Sequence, residues 1–161
     1  MTLLCYGHCY ASSHGFDELG APPSTLPTVG TNLIEINLKR RKKVTLRELG
    51  GCMSPIWPSY YSEASSVMFM VDASNTSQIS SSCIQLLSLL AAEPLQGVSV
   101  LLIFNKRDMP CLMGFIEMKS LFRLEEIIEF ATQSITTLEL SASTGQGLQD
   151  VVGWLESSPT K

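Results

Sequence analysis

Residues 98–108 read VSVLLIFNKRD, an apolar run that ends abruptly in polar and charged residues. A continuous apolar run of this length predicts a strand that is buried on both faces, as in a parallel sheet covered by helices. A second run, residues 67–71, ends in the same way at Asp72. Ligands of such sheets bind at the carboxyl ends of the strands, so the polar residues that end these runs are candidate site residues.

The segments around these two runs alternate between strand and helix patterns. Further strands are predicted over residues 33–38, 44–49 and 136–140, and helices over 79–92, 118–133 and 148–156. The stripe that defines the first helix consists of Ile84, Leu87, Leu90 and Ala91. Strand–helix alternation of this kind predicts an α/β fold, with a mostly parallel, doubly wound sheet and helices on both faces.

The 161 residues have room for one domain, in which two parts differ in character. Residues 27–161 carry the alternating pattern. Residues 1–26 are atypical and loop-rich, with many Gly, Ser and Pro residues. Within them, residues 2–6 are apolar and β-prone, and they predict a substitute strand.

The composition predicts a cytoplasmic monomer. The net charge is -4 and the pI is about 5.1, so no overall positive field attracts nucleic acid or anionic lipid. Five scattered cysteines suit a reducing compartment better than a disulfide framework. No apolar stretch is long enough to cross a membrane. Thr2, where a myristoylated chain has Gly, predicts that this start is not N-myristoylated.

Two polar clusters allow more than one interpretation. Five adjacent cations at 39–43 lie between two predicted strands, and they are interpreted as the solvated tip of a hairpin. A nuclear signal or contact with an acidic surface stays open, whereas nucleic-acid binding would need more phosphate contacts than one tip offers. Near the N-terminus, a metal site is considered and not favoured because the spacing holds no CxxC pair. That cluster consists of Cys5, His8, Cys9 and His14.

The tetrapeptide Asn105-Lys106-Arg107-Asp108 has a chemical purpose at a strand end. The Asp108 carboxylate can accept two hydrogen bonds from the edge of guanine, which adenine does not offer. The Asn105 amide can bridge the base and the loops, and the Lys106 stem can cover the base face. Two charge-assisted bonds of about 1.5–3 kcal/mol each are enough to select one purine over another.

Residues 141–147 follow the next predicted strand and read SASTGQG. A backbone N–H in this turn can donate to the keto oxygen of guanine. Alone it could be an ordinary strand-to-helix turn rich in Ser and Gly. Because it follows N-K-x-D at the next strand end, the two motifs together predict a guanine site.

The motifs of residues 27–161 resemble those of the ADP-ribosylation-factor-like small GTPases. They comprise P-T-V-G, L-G-G, Trp57, Tyr60-Tyr61, V-D-A-S, F-N-K-R-D-M-P and S-A-S-T-G-Q-G-L, in this order from residue 27. The resemblance implies a G domain of the P-loop NTPase class, with a six-stranded sheet, that binds GTP or GDP with Mg²⁺. It also implies two switch segments that respond to the γ-phosphate, and effector or regulator proteins as partners.

The resemblance implies roles for individual residues. Thr28 would bind Mg²⁺ and the γ-phosphate, Glu48 would reach Mg²⁺ through water, and the Gly51 N–H would meet the γ-phosphate. Guanine would be read by Asn105, Lys106, Asp108, Ser141 and Ala142. The surface gripped by effectors would comprise Ile56, Trp57, Tyr60 and Tyr61.

The phosphate-binding half of the pattern is where the sequence departs from the family. No G-x-x-x-x-G-K-[ST] loop occurs, and no lysine precedes Lys39. About four lost phosphate contacts at about 1.5–3 kcal/mol each remove much of the roughly 12 kcal/mol of a nanomolar complex. We therefore expect that GTP binding is weak or lost. The first strand, P-loop and first helix are expected to be missing or replaced, as in an alternatively spliced product.

Position 52 also departs from the family. Cys52 stands where the resemblance implies a glutamine that orients the attacking water, so we expect poor hydrolysis, and the sequence leaves enzymatic activity open. A nucleophilic role for Cys52 is not favoured because no histidine is near it in sequence. Two functions stay open: a guanine-nucleotide-binding regulator, and a nucleotide-free pseudo-GTPase or truncated isoform that acts as an interaction module.

Overall fold

The computed structural model describes residues 2–6, 30–110 and 113–158. The strands are β1 (Thr2–Tyr6), β2 (Thr31–Asn37), β3 (Lys43–Leu49), β4 (Ser66–Asp72), β5 (Ser99–Asn105) and β6 (Ser134–Glu139). The α-helices are α1 (Ile79–Leu90), α2 (Phe115–Leu121), α3 (Leu124–Phe130) and α4 (Leu148–Ser157). Short 3₁₀ turns cover Lys39–Arg41, Thr76–Gln78 and Glu93–Leu95, and a longer 3₁₀ segment covers Gly51–Glu63.

The six strands form one sheet in the order β2-β3-β1-β4-β5-β6. Only the β2–β3 pair is antiparallel. β1 pairs in parallel with β3 on one side and β4 on the other, so a strand fills the position for which residues 2–6 are predicted. Residues 7–29, which hold most of the atypical segment and the candidate metal cluster, lie outside the described residues.

Both faces of the sheet are covered by helices. Along β5, Leu102 and Phe104 join the core cluster that contains Leu86 of α1. Leu101, which points to the opposite face, joins the cluster that contains Leu155 of α4. These β5 side chains are fully buried, as the continuous apolar run predicts. The predicted doubly wound α/β fold is therefore confirmed.

Helix α1 packs against the sheet with a face that overlaps the quoted apolar stripe only at Leu90. Ile84 and Leu87 are 66% and 47% exposed, whereas Leu86 and Leu89 are fully buried. The predicted helix is confirmed, but of the quoted stripe only Leu90 is buried, because leucines crowd this helix on two stripes, either of which satisfies helical spacing. Only packing against the sheet selects one stripe, and the sequence pattern does not contain that information.

The helix predicted over 118–133 is two short helices, α2 and α3. Arg123 separates them with a φ of +49°, a left-handed conformation that cannot continue a helix. Its guanidinium then pairs with Glu126 in the first turn of α3, at 2.7 Å. The apolar periodicity runs through this break, which is why the sequence predicted one continuous helix.

The basic run does form a hairpin tip, but one of its cations is not free in solvent. The Lys42 ammonium donates to the carbonyl oxygens of Leu155, Glu156 and Ser158, at 2.8, 3.1 and 2.6 Å. These carbonyls form the negative end of α4, which a cation stabilises. Lys42 thus ties the β2–β3 hairpin to α4, while Lys39 stays exposed. Within the described ranges, no helix has the length and apolarity needed to cross a membrane.

Candidate functional site

Asn105 ends β5 and links the two predicted base-reading loops. The residue is 6% exposed, and its Oδ1 accepts a hydrogen bond from the Ala142 N–H at 3.0 Å. The N–H for which the sequence predicts a guanine contact therefore already has a partner. Guanine can use it only by sharing it with Asn105 or by taking it over. The bond also fixes the distance between the loops after β5 and β6.

Lys106 is held beside the strand end by an ion pair. Its backbone has a φ of +65°, uncommon for a residue with a Cβ and often found at functional sites. The ammonium lies 2.7 Å from Asp72 Oδ2, at the end of β4. The other Asp72 oxygen, Oδ1, accepts from the Ser74 hydroxyl at 2.6 Å. The Lys106 stem therefore runs along the carboxyl edge of the sheet toward β4.

Asp72 is a site residue for which the sequence prediction assigned no role. Burial raises its pKa, but hydrogen bonds from Lys106 and Ser74, together with the Lys106 charge, outweigh burial and hold the pKa below its usual value. The signal was present in the sequence, because Asp72 ends an apolar run as Asn105 does. The β4–β5 register pairs these two residues.

Asp108 presents an ionised carboxylate at the surface. Its Oδ1 accepts from the Ser141 hydroxyl at 2.6 Å, and its Oδ2 accepts from the Ser143 hydroxyl at 2.8 Å. These hydrogen bonds, the Ser141 bond first, hold the pKa of Asp108 below its usual value. Acceptance of two N–H groups requires the charged form, so this environment suits the reading of a guanine edge.

The loop after β6 is tightly constrained. Ser141 is fully buried, and its hydroxyl also accepts the Thr144 N–H at 3.2 Å. Gly147 has a φ of +81°, and a Cβ there would lie 2.5 Å from the Glu139 carbonyl oxygen. Only glycine permits this approach, which folds the loop back onto the end of β6.

A second set of bonds joins the same two loops. The Arg107 guanidinium pairs with Glu139 at 2.7 Å, and the Arg107 N–H donates to the Leu140 carbonyl at 3.2 Å. Arg107 occupies the variable position of N-K-x-D, so the motif gave no reason to expect this role. The structure thus brings Asn105, Asp108 and the 141–147 loop together, as the sequence predicted.

Two residues for which the resemblance implies contacts with Mg²⁺ or the γ-phosphate, Glu48 and Gly51, lie at the end of β3 within the described residues. Glu48 is 4% exposed, and its Oε2 accepts from the Asn32 side-chain amide at 3.1 Å. Gly51 begins the 3₁₀ segment in open space, and Cys52 beside it is exposed. Thr28 lies outside the described residues, so the structure does not place it relative to Glu48.

The residues near Glu48 allow only a limited fit for Mg²⁺. This ion takes six oxygen ligands and is often held by one or two carboxylates, substrate phosphates and water. Glu48 supplies one carboxylate at the correct edge of the sheet. No group of three or more acidic, Cys or His side chains that could hold a metal occurs within the described ranges. Mg²⁺ would supply charge neutralisation for phosphates, and Glu48 would be the carboxylate that holds it through water.

The effector surface predicted over Ile56, Trp57, Tyr60 and Tyr61 is wrong for two of its members. Trp57 and Tyr61 are buried in the core, at 3% and 7% exposure. The Trp57 indole packs edge-on against Phe69, with 6.4 Å between ring centroids, and its Nε1 donates to the Gly50 carbonyl at 3.2 Å. Trp57 therefore anchors the 3₁₀ segment to the sheet.

The other two members of that set remain accessible. Ile56 is 37% exposed and Tyr60 is partly exposed. The Arg47 guanidinium lies over the Tyr60 ring, 4.9 Å from its centroid, and pairs with Glu63 at 3.1 Å. The accessible surface here therefore combines the Arg47, Tyr60 and Glu63 cluster, which joins this segment to β3, with Ile56 on the segment itself.

A mostly parallel six-stranded sheet with two linked loops at the ends of β5 and β6 defines the small-GTPase fold. The chain matches the ADP-ribosylation factor family over residues 18–158. It is 55% identical over 148 residues to human ADP-ribosylation factor-like protein 16, covering 92% of this chain and 74% of that protein. The chain therefore belongs to the ADP-ribosylation factor family of GTP-binding regulators.

Two further similarities extend this result. The ADP-ribosylation factor-like protein 1 of Drosophila melanogaster is 31% identical over 143 residues, with 88% of this chain and 77% of that protein covered. The solved Arl6 BBS3 small GTPase of Trypanosoma brucei, with the nucleotide analogue GppNp bound, superposes with a TM-score of 0.76. That match covers 97% of this chain and 95% of the other at 20% identity, which supports the fold alone.

Proposed function

We propose that this chain recognises guanine nucleotides mainly through the base, and holds their phosphates more weakly than family members with a lysine-containing phosphate loop. The observation that carries the proposal is the Asp108 carboxylate, which is surface-accessible, ionised and oriented by two hydroxyls. An acceptor pair of this kind matches the two donors on the guanine edge. Two such bonds, at about 1.5–3 kcal/mol each, discriminate guanine from adenine.

The phosphate half of the proposal rests on charge. No lysine or arginine occurs anywhere between Gly7 and Gly30, the segment that joins β1 to β2. In P-loop proteins, the corresponding loop supplies backbone N–H groups and a lysine to the β- and γ-phosphates. Without that cation, guanine recognition contributes a larger share of the binding free energy.

The test exchanges the donor and acceptor pattern at Asp108. Asn offers one acceptor and one donor, which match the N–H and the 2-keto oxygen of xanthine instead of guanine. We expect that Asp108→Asn lowers affinity for a fluorescent GDP about ten- to a hundred-fold and raises affinity for the xanthine analogue. Asp150→Asn, at an exposed carboxylate of α4, is the matched control. The proposal would be excluded if the unaltered chain showed no saturable binding of GDP up to about 100 µM. A Kd of that size corresponds to a binding free energy of about 5.5 kcal/mol.

A nucleotide-free interaction module is the second candidate, and the same lack of cations between Gly7 and Gly30 favours it. Its contact surface would be the patch of Ile56, Tyr60, Arg47 and Glu63. A ligand that binds only the folded state raises the melting temperature, so a nucleotide-free module predicts no shift with millimolar GTP or GDP and Mg²⁺. A guanine-specific shift that disappears in Asp108→Asn would reject this candidate.

A further inference from the structure

Both oxygens of the Asp108 carboxylate accept hydroxyl groups from the same loop. Ser141 donates to Oδ1 at 2.6 Å, and Ser143 donates to Oδ2 at 2.8 Å. The two hydroxyl oxygens are themselves 3.0 Å apart, so they hold the carboxylate from one side. One hydroxyl would leave the carboxylate free to turn about its terminal torsion, whereas two on different oxygens fix its plane.

The two serines leave part of the acceptor capacity of the carboxylate for guanine. An ionised carboxylate has about four lone-pair positions, of which the two hydroxyls use two, and the Asp108 backbone N–H bonds to the same group. Guanine presents two N–H donors, which can use the remaining capacity and share the position of the backbone contact. The serines need not leave for the base to bind.

We infer that Ser143 is a positioning residue for guanine recognition, which acts by orienting the Asp108 carboxylate. This inference deepens the proposed function and rests on it. Ser141 contributes from the buried side, where it also supports the loop through the Thr144 N–H. Ser143 is exposed, so its hydroxyl can be removed without opening the core.

The charged groups near Asp108 are few. Lys106 is the cation whose charge lowers the pKa of Asp108, and its ammonium is paired with Asp72 at 2.7 Å. The adjacent Arg107 guanidinium is paired with Glu139 at 2.7 Å. Because these cations already have anionic partners, the two hydroxyls are the main groups that stabilise the charged form of Asp108.

The first experiment measures binding of fluorescent GDP to Ser143→Ala and Ser143→Thr. We expect that Ser143→Ala weakens binding about three- to ten-fold, as for loss of one supporting hydrogen bond, and that Ser143→Thr restores it. In an Asp108→Ala background, Ser143→Ala should cause no further loss. Ser88→Ala, which removes an exposed hydroxyl on α1 away from the base-reading loops, should bind as the unaltered chain does. Unchanged or tighter binding by Ser143→Ala would overturn the inference.

A second measurement works without nucleotide and separates this inference from the proposed function. The carboxyl ¹³C resonance of Asp108 can be titrated by NMR in the full chain. We expect that Ser143→Ala raises the Asp108 pKa, because the charged form loses a donor, and that Ser143→Thr does not. An unchanged pKa would overturn the inference even if guanine binds. A raised pKa in a chain that binds no guanine would reject the proposed function alone.

Discussion

The ends of β5 and β3 lie on the same sheet edge but are built differently. At β5, polar side chains bond across loops: Asn105 to the Ala142 backbone N–H, Asp108 to two serine hydroxyls, and Lys106 to Asp72. At β3, the chain is held by burial, with Trp57 inserted into the core below the 3₁₀ segment. Polar cross-links fix the direction of a few atoms, as base recognition requires. A hydrophobic anchor fixes a segment and leaves its outer face variable.

The strongest test of this comparison removes the hydrophobic anchor. We expect that Trp57→Ala lowers the free energy of unfolding by about 3–5 kcal/mol, because it leaves a cavity next to Phe69 and removes one of the two hydrogen bonds to the Gly50 carbonyl, which keeps the Met53 N–H. Urea unfolding measures the change, and Ile56→Ala, at the exposed neighbour, is the control. A loss below about 1 kcal/mol, the range of ordinary surface substitutions, would show that burial does not hold this end of the sheet.

We expect that the 141–147 loop is destabilised by backbone strain and not by a loss of buried apolar area. Gly147→Ala forces a Cβ to within 2.5 Å of the Glu139 carbonyl at a φ of +81°, and we expect a loss of about 1–3 kcal/mol. Gly153→Ala is a matched control, since a Cβ there meets nothing within 4 Å and alanine favours the α4 helix. Equal unfolding midpoints for the two variants would mean that the loop tolerates rearrangement.

The same contrast explains what the sequence could predict. Strand ends were predictable because apolar runs stop at Asp72 and Asn105, and parallel strands bring such ends to one edge. Motif order predicted that N-K-x-D and the 141–147 loop share one site, but it did not predict the hydrogen bonds from Ser141 and Ser143 to Asp108. Trp57 was misassigned because a tryptophan near a switch motif suits a surface or a core equally. Its burial depends on packing against Phe69 of β4, and no local sequence pattern reveals that contact.

The roles of Arg107 and Arg123 could not be predicted from the sequence either. Arg107 pairs with Glu139 across a sequence separation that only the β5–β6 register brings together. Arg123 breaks the predicted helix through a left-handed φ that arginine rarely adopts, and the surrounding apolar periodicity gives no warning of it. The first feature depends on the tertiary register of the sheet, and the second is a backbone conformation that helical periodicity does not encode.

The smallest expected effect belongs to the Lys106–Asp72 pair. Its side chains are 45% and 27% exposed, so solvent screens the attraction and we expect that it contributes less than about 1 kcal/mol. The pKa of Asp72 in the folded chain lies below its usual value of 3.8. The pair's contribution is therefore complete above that value and is lost as the pH falls through the lower, folded-state pKa.

The pH dependence of the free energy of unfolding distinguishes the Lys106–Asp72 ion pair from the buried Trp57 anchor. We expect that Asp72→Asn is slightly less stable than the unaltered chain at pH 7 in urea unfolding, and that the difference shrinks toward zero as the pH falls through the folded-state pKa of Asp72. The deficit of Trp57→Ala should stay nearly constant over the same range, because cavity formation involves no proton. Glu129→Gln, at an exposed carboxylate without an ion pair in the described part of the chain, controls for the general loss of charge. A difference for Asp72→Asn that grows as the pH falls would mean that burial, not the lysine, dominates at Asp72. The ends of β5 and β3 would then be held by the same physical effect.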